Sequence, residues 1–116
     1  MEEIGIYILA AIMLFAAYAH IRWPKFYKPM VPKPIPLLWA NIFSVITEAG
    51  IAILLLLPAY RKIGGLAFMV LMIMFLPIHI WDLFRERPVT RSKTGAVIRL
   101  LIQFLLIYIG WRVWKN

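Results

Sequence analysis

Eight polar residues stand inside, or at the ends of, long apolar stretches of this chain: His20, Asn41, Ser44, Glu48, His79, Asp82, Arg99 and Gln103. Glu48 lies near the middle of LLWANIFSVITEAGIAILLLL, residues 37–57. A carboxylate in hydrocarbon costs about 2.5–3.5 kcal/mol by insertion scales, so it is expected to face a partner or a water-filled cavity rather than lipid. Asn41, Ser44 and Glu48 fall at i, i+3 and i+7, which puts all three on one helical face. His79 with Asp82 and Arg99 with Gln103 are three and four apart, so each pair also shares a face.

These residue types can do a limited set of things. Glu48 and Arg99 are opposite charges expected at adjacent depths, which predicts an ion pair, with Gln103, Ser44 and a histidine completing the hydrogen bonding. Such a cluster either lines a polar pocket that binds a ligand or bonds the helices to one another. Metal binding by His20, His79, Asp82 and Glu48 would need convergence that no HxxxH-type spacing announces, so no metal is assigned. There is no Gly-rich phosphate loop and no haem attachment motif. A Ser44 nucleophile would need a histidine beside it.

The elements that must carry these residues are membrane helices. Of the 116 residues, 64% are hydrophobic, mean hydropathy is +0.85 and only 16% are charged. A soluble core of this size could not hide so much apolar surface. The runs are of spanning length. The expectation is one all-α domain over residues 1–116, an integral membrane four-helix bundle of antiparallel up-down topology with spans at about 4–21, 37–57, 63–81 and 95–114. Ala17-Tyr18-Ala19 has the small-x-small form of a signal-peptide cleavage site, but Met1-Glu2-Glu3 is acidic where a signal peptide is basic, so an uncleaved helix is expected. Between the first two spans, five prolines (Pro24, Pro29, Pro32, Pro34, Pro36) exclude a continuous helix. Pro58 to Lys62 is a short turn, Pro77 a kink, Asp82 to Thr94 a polar loop, and Gly64-Gly65 a point of close approach.

The net charge of +8 resides in loops and helix ends, which suits anionic lipid head groups and not nucleic acid. Loops one and three hold Arg22, Lys25, Lys28, Lys33, Arg85, Arg87, Arg91 and Lys93, against Arg61, Lys62, Arg112 and Lys115 on the other side. The positive-inside rule then places loops one and three in the cytoplasm and both termini outside, in a membrane read as the prokaryotic cytoplasmic one. With no cysteine, the chain does no thiol chemistry. Depth counting puts Glu48 about 16 Å in from Leu37, and Arg99 and Gln103 about 6 and 12 Å inside the fourth span, all measured from the loop-one side. Every intramembrane polar group thus falls in one half of the bundle. A pocket there would open toward loop one, with Trp23, Phe26 and Tyr27 as its lid.

Several of these residues together resemble the DoxX-like family of small four-helix membrane proteins: Ala17-Tyr18-Ala19-His20 with Pro24-Lys25-Phe26, Ser44-x-x-x-Glu48 with Gly50, Leu57-Pro58-x-x-Arg61, Phe75-x-Pro77-x-His79, and Arg99-Leu100-x-x-Gln103 followed by Trp111. Val45, His79 and Leu101 stand where that family usually has Gly, Asn and Pro. The resemblance implies a membrane subunit associated with thiosulfate:quinone oxidoreduction, part of a membrane redox complex, or a chaperone for neurotransmitter-gated channels. The architecture is also similar to EXPERA-type sterol isomerases and sigma-type receptors, which hold an amphiphile with intramembrane acids. The expected function is binding of an amphiphilic ligand, a quinone or a lipid, or service as an accessory subunit. The alternatives are an assembly factor working through its helix faces and a membrane enzyme, a quinone-linked oxidoreductase or an isomerase. Quinone is the one cofactor considered. The expected partners are the bilayer, an amphiphile, and a membrane protein or a second copy of the chain.

Overall fold

The structure is a computed structural model and describes residues 2–86, 88–89 and 91–116. Of the charges counted for orientation, Arg87 lies outside the described residues. Four helices carry the fold: α1 Glu3–Arg22, α2 Leu37–Leu56, α3 Arg61–Phe84 and α4 Lys93–Lys115. All four are long and apolar enough to cross a membrane. The long axis measures 44 Å, which matches the ~40–45 Å of a bilayer with its head-group layers. The outward faces are apolar to match: Ile4, Phe15, Ile46 and Leu101 are each more than half exposed.

The boundaries follow local chemistry, and three of them correct the sequence reading, the two ends of α3 and the start of α4. Loop one does not continue α1 as an α-helix, but Pro24–Met30 winds into a 3-10 helix, for which Pro24 at the first position already has the required φ. Pro58–Tyr60 forms a second 3-10 turn and α3 starts at once, at Arg61. Residue Asp82 was expected to open a polar loop, yet α3 runs on to Phe84 and Asp82 is buried in its last turns. The helix also continues through Pro77. The start of α4 moves from Gly95 back to Lys93 because Ser92 caps it, its Oγ accepting the Gly95 N–H at 2.9 Å.

Helix α3 is the spine. Gly64 lies against α2, where an added Cβ would sit 3.1 Å from Leu54 Cβ, and Gly65 lies against α4, where one would sit 2.7 Å from Val113 Cβ. Gly110 returns the contact: its added Cβ would meet the Met69 backbone at 2.9 Å. Small residues thus let α3 and α4 approach backbone to backbone, which drives packing where lipid offers no hydrophobic gain. The apolar core fills the end of the bundle near these glycines, with Leu9, Ala10 and Met13 of α1, Ala52 and Leu55 of α2, Phe68 and Leu71 of α3, and Val113 of α4. At the same end Arg61 ties three elements together. Its Nε donates to the Leu55 carbonyl at 2.9 Å, and Nη2 stands 3.5 Å from Glu3 Oε1. The buried polar side chains His20, Asn41, Ser44, Glu48, Asp82 and Gln103 occupy the rest.

Candidate functional site

Toward the loop-one end, α2 and α3 part around a cavity of about 500 Å³. Six of the eight polar residues singled out from the sequence line it: His20, Asn41, Ser44, Glu48, His79 and Arg99. The remaining wall is apolar, from Trp39 and Phe43 of α2, Met74, Phe75 and Ile78 of α3, and Met30, Val31 and Ile35 of loop one. Asp82 and Gln103 do not line it. Gln103 is buried between helices, its Nε2 donating to the Met72 carbonyl at 2.6 Å.

The expected Glu48–Arg99 pair is not formed. Arg99 Nη1 instead donates to Asp82 Oδ2 at 2.8 Å. The reason is that α3 extends further than the sequence suggested, which carries Asp82 to the level of Arg99 across the close α3–α4 contact. Asp82 is a hub. Its Oδ1 accepts from Arg85 Nη1 at 3.3 Å and from the Val89 N–H at 2.9 Å, so loop three folds onto it. Arg85 also donates to the Pro29 carbonyl at 2.7 Å, which fastens loop one to the same point.

Glu48 belongs to a different chain of contacts, and its order can be worked out from donors and acceptors. Asn41 Nδ2 lies 3.2 Å from the Pro24 carbonyl, which can only accept, so the amide nitrogen faces that way. Asn41 Oδ1 therefore faces His20 Nδ1, at 2.6 Å, and Nδ1 carries the proton. That leaves His20 Nε2 directed at Glu48 Oε1, 3.7 Å away. At that distance the two groups are within electrostatic range but are not hydrogen-bonded. Tyr27 covers the imidazole, its ring stacked on His20 at 3.7 Å between centroids.

Among the described residues, two buried polar atoms of cavity-lining side chains have no hydrogen-bond partner: Glu48 Oε2 and His79 Nδ1. Glu48 is 6% exposed, so this oxygen gains nothing from bulk solvent. A buried acceptor left unpaired costs roughly 1–3 kcal/mol, and more when charged. Among the described residues no group of three His, Asp or Glu side chains converges as metal ligands would.

The expected lid is only partly in place. Tyr27 lines the cavity, but Phe26 and Trp23 are exposed. Phe26 meets Tyr27 edge-on, and Trp23 meets Tyr18 edge-on beneath the Arg22 guanidinium. The tight 3-10 turn points neighbouring side chains in different directions, so one aromatic of the three turns inward. Loop one covers the cavity mainly with Met30, Val31, Pro32 and Ile35, which the sequence reading missed. Their signal was their apolarity among lysines and prolines.

A family model described as a domain of unknown function, DUF8561, matches residues 9–114. No curated protein and no solved structure matches the chain.

Proposed function

The chain belongs to the DUF8561 family, and we propose that it is an integral membrane protein that holds an amphiphile in the cavity between α2 and α3. The observation that carries this is Glu48, which lines a cavity otherwise mostly apolar and whose Oε2 has no partner among the described residues. A head group with a hydroxyl or N–H would donate to that oxygen, and an acceptor on the same head group would take a hydrogen bond from Arg99 or His79. The tail would lie against Trp39, Phe43, Phe75 and Ile78. Quinols and lipid alcohols have this chemistry, and the DoxX-like resemblance favours the same class. The charge balance of the loops supports an orientation with loops one and three in the cytoplasm. Native mass spectrometry of the protein from mild detergent tests the binding. A retained small molecule that disappears on Ser44→Trp, which fills the cavity, is the expected result. A bare protein mass, or an adduct indifferent to Ser44→Trp, removes the proposal.

A second reading follows from Glu48 itself, a cavity-lining carboxyl group with an oxygen that no side chain engages. A carboxylate that can take a proton from one carbon of a bound ligand, and return it to another, performs double-bond isomerisation with no redox partner. Deuterium incorporation from solvent into the bound molecule, lost in Glu48→Gln, distinguishes catalysis from simple binding.

A further inference from the structure

The bundle has a second concavity, and nothing in the proposed function uses it. A groove of about 520 Å³ lies on the outer face where α1 ends and α2 begins. It is graded along its length. Lys25 and Pro24 stand at one end, and Leu38, Ile42, Val45 and Ile46 continue it down α2. From Leu38 to Ile46 the groove descends about 12 Å along the helix. Its inner wall is the hydrogen-bonded pair His20 and Asn41, which also lines the central cavity, so the pair is a partition between the two chambers.

We propose that this groove is a binding site for an anionic phospholipid, with the phosphate at Lys25 and one acyl chain along Ile42, Val45 and Ile46. Charge complementarity sets the occupant. No acidic side chain lines the groove, and Lys25 has no hydrogen-bond or ion-pair partner among the described residues. Arg22, one turn before it, is held over the Trp23 ring without a carboxylate beside it. The two cations stand at the chain end of α1, where the span leaves the apolar layer, so they meet head groups at the depth where phosphates lie. The apolar floor below them is open to the lipid side, Ile42 being 38% and Ile46 67% exposed. A zwitterionic lipid would bring a compensating cation to the same point, and a second copy of this chain would bring more lysine and arginine.

The experiment is competition in detergent between phosphatidylglycerol and phosphatidylcholine of identical chains, read by native mass spectrometry as bound-lipid ratio. The wild-type protein is expected to prefer phosphatidylglycerol about fivefold, the factor set by one ammonium near an anionic surface. Lys25→Glu should bring the ratio to unity or below. Lys115→Glu, which makes the same charge change at the opposite end, should leave the preference in place. Ile42→Trp, an exposed position that tolerates bulk, should reduce binding of both lipids. Equal binding of the two lipids by the wild type overturns the proposal, as does an equal loss in Lys115→Glu, which would mark a diffuse charge effect. Full binding by Ile42→Trp would show that the chain lies elsewhere. None of these readouts depends on what the central cavity holds.

Discussion

Asp82 and Glu48 are two carboxylates buried to nearly the same degree, at 1% and 6% exposure, in the same half of the same bundle. Their surroundings differ in one respect, saturation. Asp82 has both oxygens engaged, by two guanidinium groups and a backbone N–H, two of the donors from loop three and one from α4. Glu48 lines a cavity and has one oxygen beside His20 and the other without a partner among the described residues. Burial alone does not tell a structural acid from a binding one. The count of satisfied acceptors does, since a saturated carboxylate has nothing left to offer a ligand and an unsaturated one carries a cost until something donates to it.

The sharpest way to break this comparison is to neutralise each acid in turn. Asp82→Asn leaves Arg99 facing an amide in a part-buried site, and the amide nitrogen would meet the Val89 N–H or a guanidinium as donor against donor. The expected loss is about 3–5 kcal/mol, by analogy with soluble buried pairs. It should appear as a large fall in melting temperature in detergent and as new protease sensitivity in both loops. Asp82→Asn with Arg99→Gln should cost less than the sum of the two single changes, because the residues touch. If Asp82→Asn melts like the wild type, saturation is not what makes Asp82 structural.

The next effect in size belongs to the apolar end, where geometry replaces charge. Gly110→Val places a branched Cβ against the Met69 backbone, at a position where even a methyl would come to 2.8 Å of Met69 Cβ. Overpacking of this kind costs about 1–3 kcal/mol, and here rigid backbone is the obstacle. A melting shift in Gly110→Val larger than that of Asp82→Asn would reverse the ranking of the two regions. Gly50 supplies the control, since an added Cβ there meets nothing within 4 Å.

Glu48→Gln should do the opposite of Asp82→Asn: little to stability and much to binding. The amide can still reach His20, while an N–H₂ replaces an acceptor on the wall and rejects a donor head group. The retained small molecule should be lost, and the melting temperature should move by less than half the Asp82→Asn shift. Equal destabilisation by the two changes would show that Glu48 is a helix-bonding residue and that its spare oxygen is incidental.

Much of this arrangement was legible in the sequence, and the gaps have physical causes. Spans could be read because a run of apolar residues with few charges has few other uses. The shared face of Asn41, Ser44 and Glu48 could be read because helical period is local, and all three are indeed buried. Pairing across helices could not, because depth along an axis leaves rotation about it undetermined. Glu48 and Arg99 are near in depth, but α2 turns Glu48 toward the end of α1 while α4 turns Arg99 toward α3. Asp82 was misplaced for a different reason. A charged residue after Trp81 resembles the end of a span, yet three basic or backbone donors nearby let the helix carry it inward.

Loop one gives the smallest effect, and it separates the inward aromatic from the two outward ones. Tyr27 lies outside the spans, and burial, followed by the nearby Glu48 carboxylate, raises its phenol above the ordinary tyrosine range. Both causes oppose the phenolate. In the unfolded chain the phenol titrates at about 10, so the folded state holds the proton more tightly than the unfolded state does. The stability this contributes is present in full below that unfolded value and is lost as pH rises through the higher folded one. Tyr27→Phe keeps the ring stacked on His20 and removes the titrating group. Its melting temperature near neutral pH should therefore stay close to that of the wild type. On the alkaline side the wild type should lose stability that Tyr27→Phe keeps. Trp23→Ala and Phe26→Ala should retain the wild-type alkaline profile and the retained ligand, because neither side chain lines the cavity. If Phe26→Ala instead frees the ligand while Tyr27→Phe does not, the outward aromatics guard the cavity and the inward one only packs against it.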